Sequence, residues 1–219
     1  MTVSVTLFNA LGRIAPEIET DIRAGIDEGI AALRGHTAVE DVGIAVLPSI
    51  FVARETGFGG MALGPENCAI YADPTNLNLA VRTREKAASM TVHEVHHVLR
   101  MKILDIQRAE DWFAGEVLTL EGLATQSEIF LGYPEPGTVK GIGFDDVAAM
   151  LADVDPIIDD GGADWQWINQ PNGLPDRVYR AAYPMGHQVV GRYLERTGQD
   201  PITAIGESWR EIWTVGMAS

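Results

Sequence analysis

The stretch TVHEVHHVLR, residues 91–100, holds three histidines and a glutamate within five consecutive positions. On an α-helix His93 and His97 stand ~40° apart in azimuth and ~6 Å apart along the axis, so both imidazoles leave one face. Two imidazoles so placed can bind one Zn²⁺, and Glu94 on the adjoining face can reach a water on the metal and take its proton. The spacing supplies the parts for metal-assisted hydrolysis; the competing reading is a polar helix face with a core histidine or two. His96 could pair with His93 at i, i+3, but that removes Glu94 from the pattern, so His96 is expected to support the site or to face solvent. A catalytic zinc usually keeps three protein ligands and one open position. The next predicted helix, AGEVLTLEGLATQSEIFLG, offers Glu116 and Glu121, which lie five apart and project from different sides, so only one of them is expected to bind.

Those residues need elements to hold them. VSVTLF (3–8) is β-rich, and residues 14–35 carry Ile14, Ile18, Ile22, Ile26, Ile30 and Leu33 at helical spacing, with Gly35 as a C-cap. VGIAVLPSIFVA (42–53) and CAIYAD (68–73) read as strands joined through the glycine-rich GFGGMALGPEN. From residue 83 the pattern turns helical, with predicted helices at 83–104, 113–131, 144–153 and 186–197. The expected fold is therefore α+β: one domain, 1–219, with an α/β half (1–82) of a small sheet and a packed helix, and a mainly helical half (83–219) carrying the histidine helix. The Gly-, Pro- and Asp-rich segment around 154–176 is expected to be an ordered loop pinned by Trp165 and Trp167.

Composition narrows the chemistry further. A chain with 46% hydrophobic and 21% charged residues folds around a core. Its net charge of -15 repels nucleic acid and anionic membrane surfaces, so neither is expected as a partner. The single cysteine, Cys68, makes no internal disulfide, the first residues lack a signal-peptide pattern, and no apolar run approaches the ~20 residues of a membrane span. A cytoplasmic protein is expected.

HEVHH followed by LEGLA resembles the gluzincin metallopeptidases, in which a second helix delivers a zinc-binding glutamate. LEGLA is similar to the NEGFA type of segment in the aminopeptidase N and leukotriene hydrolase branch. The chain resembles still more closely a largely uncharacterised family of predicted Zn-dependent proteases, from GFGG (57–60) through HEVHHVLR and EGLA to residues 183–194. The resemblance implies a zincin-like fold, with Glu121 as third ligand. YPMGHQVVGRYLE (183–195) is similar to the Y-x-x-G segment of that branch, which implies that the Tyr183 hydroxyl stabilises the oxyanion, with Tyr179 as the fallback. Two departures stand out. The glycine-rich strand GGMAL lacks the glutamate that holds a free α-amino group in the aminopeptidases. Thr125 stands where thermolysin-like enzymes have an aspartate orienting a zinc histidine, and Glu128 is the substitute one turn on.

The resulting expectation is a zinc metallopeptidase that hydrolyses peptide bonds in a peptide or protein substrate. Zn²⁺ is held by His93, His97 and Glu121, Glu94 is the general base acting on a zinc-activated water, and Tyr183 steadies the oxyanion. The alternative is a catalytically silent metal-binding or partner-binding protein on the same frame, and a third reading is a structural domain with no metal. His187 is expected to fill a helix start, His36 to face solvent, and Arg100 to form a surface ion pair. Oligomeric state is left open.

Overall fold

The computed structural model describes residues 2–9, 12–107, 113–159 and 182–218. Among them are four strands and six α-helices: β1 (Val3–Leu7), α1 (Pro16–Arg34), β2 (Val42–Pro48), β3 (Phe58–Gly64), β4 (Asn67–Ala72), α2 (Thr83–Ile103), α3 (Ala114–Phe130), α4 (Phe144–Val154), α5 (Ala182–Thr197) and α6 (Trp209–Met217). The chain divides into two compact units, Met1–Lys102 and Ile103–Ser219.

In the first unit the sheet runs β1-β2-β4-β3, with β1, β2 and β4 parallel and β3 antiparallel to β4. The period-2 pattern decides the faces. Val42, Ile44 and Val46 of β2 are buried, and Ile44 and Val46 stand in register with Cys68 and Ile70 of β4. On the opposite face Ser4, Thr6 and Met61 are exposed. Pro16 in the first turn and the acidic residues Glu17 and Glu19 favour the start of α1. Its Ile22, Ile26, Ile30 and Leu33 are all buried, each worth about 1.5–3 kcal/mol against exposure.

Helix α2 belongs to this unit, so the units meet at 102/103, whereas the expected halves were divided at 82/83. The reason lies in two glycines of α1. A Cβ on Gly25 would stand 2.8 Å from Ala87 Cβ, and one on Gly29 would stand 2.6 Å from the Ala88 carbonyl oxygen. The two helix backbones touch there, and Lys102 Nζ closes the far end by donating to the Glu40 carbonyl at 3.2 Å. The glycine-rich GFGGMALGPEN, a connection by its residue pattern and a glycine-rich strand at GGMAL by the family resemblance, supplies β3 at the end of the sheet. Glycines carry no strand signal, but a Cβ on Gly59 would stand 2.7 Å from the Phe51 carbonyl oxygen. Strand β2 stops at Pro48 rather than at 53; proline cannot donate to a ladder, and Ile50 and Phe51 beyond it are exposed.

In the second unit α3 crosses α5 with almost no side chain between them. A Cβ on Gly122 would stand 2.5 Å from the Gly186 carbonyl carbon, and one on Gly186 would stand 3.0 Å from Gly122 N and run into the Leu118 carbonyl. Helix α6 docks through Gly115 beneath Trp209 and Gly216 against Val189, and Leu123, Val190, Tyr193, Ala204 and Ile212 form a core cluster. Sequence periodicity had not marked α6, although the Ser208–Glu211 spacing matches a capping signature: Ser208 Oγ accepts the Glu211 amide at 3.2 Å. Helix α5 begins at 182 rather than 186. No helix among the described residues is long and apolar enough to cross a membrane.

Candidate metal centre

Helix α2 starts where the Thr83 hydroxyl donates to the Leu79 carbonyl at 2.7 Å, and its charges suit the helix dipole, with Glu85 in the first turn and Arg100 and Lys102 in the last. Every residue from Thr91 to Met101 is buried. The histidine stretch is therefore not a solvated polar face. Isoleucine- and glycine-lined α1 lies against one part of it, and Glu94 lies against the buried face of the sheet.

His93 and His97 project together, their ring centroids 4.5 Å apart and their planes 79° apart. One ligand atom from each of His93, Glu94 and His97 falls within 4.8 Å of the others. Two nitrogens on a tetrahedral zinc, at Zn–N of about 2.0–2.1 Å, stand roughly 3.3 Å apart, inside the 4.8 Å span of the cluster. The donor set, two imidazoles and a nearby carboxylate shut away from water, fits a zinc ion or a similar divalent cation. Ionisable groups gathered in a buried place are compensated by pairing or by coordinating an ion, and a divalent cation is one ion this donor set could hold.

The neighbours of the cluster differ from two expectations. His96 is wholly buried, which removes the solvent half of its reading. Arg100 is also wholly buried and is among the largest side chains to be so, so a surface ion pair is excluded; α2 is enclosed without a break from Thr91 to Met101. Cys68, on the buried face of β4, is a free thiol pushed upward by burial first and by the charge of Glu94 second. It stays protonated near neutral pH and is not poised as a nucleophile or thiolate ligand.

The second unit holds the remaining candidates. Glu116, Glu121 and Glu128 of α3 are all buried, as is Thr125, so burial does not choose between the two carboxylates proposed as ligand. The Gly122–Gly186 crossing brings LEGLA and YPMGH onto touching helices, with Glu121 immediately before one glycine and Tyr183 three residues before the other. Tyr183 is half-buried in the first turn of α5. His187, buried one turn later, is occupied within this unit. Gln126 Nε2 lies 3.1 Å from its Nδ1 and donates to its carbonyl at 3.1 Å, and Glu135 Oε1 stands 4.0 Å from its Nε2. Burial lowers the His187 pKa, with Glu135 pulling partly back. Because α5 begins at Ala182, His187 stands in its second turn and not at the helix start where it was expected. His36 is exposed, as expected. Trp165, Trp167 and Tyr179 lie outside the described residues. No protein-family model, no curated protein and no solved structure matches this chain.

Proposed function

We propose that the chain is a zinc-dependent peptidase of zincin-like fold. The observation that carries the reading is the buried cluster of His93, Glu94 and His97, whose ligand atoms lie within 4.8 Å of one another. The sheet supports it: β3 ends the sheet and runs antiparallel to β4, and beyond Phe58, whose carbonyl accepts from Ala53 N at 2.9 Å, its outer edge is where an extended substrate would pair.

In this reading His93 and His97 hold the ion, and Glu121 is the third ligand on the likeness of LEGLA to the gluzincin segment. A bound zinc would polarise the scissile carbonyl and make water a nucleophile near neutral pH. Glu94 receives the proton of the attacking water as the new C–O bond forms, then delivers it to the amine nitrogen as the C–N bond breaks. The Tyr183 hydroxyl donates a hydrogen bond to the negative charge that collects on the carbonyl oxygen. The substrate is a peptide or protein. The lone buried thiol, Cys68, suits the reducing cytoplasm where we place it.

Glu94→Gln tests the reading. The variant should keep about one zinc per chain by elemental analysis and lose 10²–10⁴-fold of the chelator-sensitive cleavage in an unbiased peptide-library digest. Cleavage at the wild-type rate would remove Glu94 as the base, and a wild-type chain that binds zinc but cleaves nothing would leave a metal-binding protein without turnover. Zinc retained in Glu121→Ala would move the third ligand to Glu116 or elsewhere.

A further inference from the structure

We propose that Gly60 is the positioning residue for the Glu94 carboxylate: its missing side chain is the space the carboxylate occupies. The proposal rests on Glu94 being the base. Gly60 sits in β3 opposite Ile70 of β4, on the buried face of the sheet. A Cβ built there would stand 2.5 Å from both Cγ and Cδ of Glu94 and overlap Oε1, and these are the three nearest atoms. Its neighbour Gly59 is a different case. A Cβ on Gly59 meets backbone, the Phe51 carbonyl oxygen at 2.7 Å and Val52 Cα at 3.2 Å, so that glycine serves the fold.

Carbon atoms rest ~3.5–4.0 Å apart, so a methyl at position 60 demands a shift of about 1 Å or more. The atoms in the way are the end of a flexible side chain, and the carboxylate gives way before the strand does. Glu94 is 3% exposed, so it moves within the enclosed cluster, relative to His93 and His97, and not out into solvent. A base must reach its proton at ~2.6–3.2 Å, and a misplacement of about 1 Å can cost on the order of 10²-fold. Strand β3 thus sets where the base stands, through a residue that touches no ion.

The test is a double-mutant cycle on metal-free protein, with wild type, Gly60→Ala, Glu94→Ala and the double variant unfolded thermally. Gly60→Ala should lower the midpoint in the wild-type background. In the Glu94→Ala background it should leave the midpoint unchanged or raise it, since alanine loses less chain entropy than glycine. On zinc-loaded protein Gly60→Ala should keep one zinc per chain and an unchanged KM, with kcat reduced on the order of 10²-fold. Glu94→Asp, one methylene shorter, should restore part of that kcat when combined with Gly60→Ala. Equal midpoint changes in both backgrounds would overturn the proposal whatever the activity, and so would full kcat in Gly60→Ala. A wild-type chain with no turnover would refute the peptidase reading alone, and the metal-free cycle would still decide whether Gly60 holds Glu94.

Discussion

Zinc should raise the thermal stability of the metal-free chain through His93 and His97. An ion that binds only the native state at a free concentration 100-fold above its Kd adds about 2.7 kcal/mol. For a chain of 219 residues each kcal/mol shifts the midpoint by about 2–4 °C, so the expected rise is roughly 5–11 °C. The His93–His97 pair makes that shift specific. Their rings are 4.5 Å apart, and removing one imidazole leaves a single nitrogen donor on that face. His97 is 4% exposed, so His97→Ala also leaves a cavity and starts about 1–3 kcal/mol lower without metal. The informative quantity is therefore the zinc-induced change and not the absolute midpoint. Differential scanning calorimetry in buffered free zinc is the assay, because two compact units can unfold in separate transitions that a single optical probe would blend. His97→Ala should show less than about a tenth of the wild-type shift, as its occupancy falls at the same free zinc. The exposed His36→Ala should keep the full shift. A wild-type midpoint unmoved between nanomolar and micromolar free zinc, or a His97→Ala chain that gains as much as wild type, would refute the reasoning.

Gly186→Ala should destabilise the second unit by about 1–3 kcal/mol or more, read from urea midpoints, because its Cβ meets the Leu118 carbonyl and Gly122 N, backbone atoms that cannot rotate aside. An unchanged midpoint would mean that α3 and α5 do not cross at these glycines. Stability should also fall on acidification through His187. Its folded pKa is lowered, so the unfolded chain binds the proton more readily; the contribution is complete above the unfolded value of about 6.5 and is lost as the pH drops below it. His187→Gln should flatten that part of the stability–pH curve between about pH 5 and 7, and a curve identical to wild type would assign the dependence to other groups.

Much of the architecture was legible in the residues. Six apolar positions at helical spacing located α1 to within two residues, and β-rich runs located β1, β4 and the start of β2, because such patterns are properties of a single element. The pair His93 and His97 was readable for the same reason: an i, i+4 spacing fixes a shared face whatever surrounds the helix. Helix α6 was readable in principle from Ser208 and Glu211, yet nine residues give too little periodicity to stand out.

The sequence by itself determined that two imidazoles and a carboxylate would leave α2 close together. Only the tertiary structure decided that they are shut away from water, because an amphipathic pattern cannot report that a helix is covered on every side; Arg100 was misplaced for that reason. Glycine marks the same boundary. Gly25, Gly29, Gly60, Gly122 and Gly186 have no side chain with which to announce a partner, and each is explained by the atom that would collide with a Cβ. Helix α2 joins the sheet unit, β3 is a strand, and Glu94 has room for its carboxylate because of close approaches between segments distant in sequence, and distance in sequence is where local patterns carry no information.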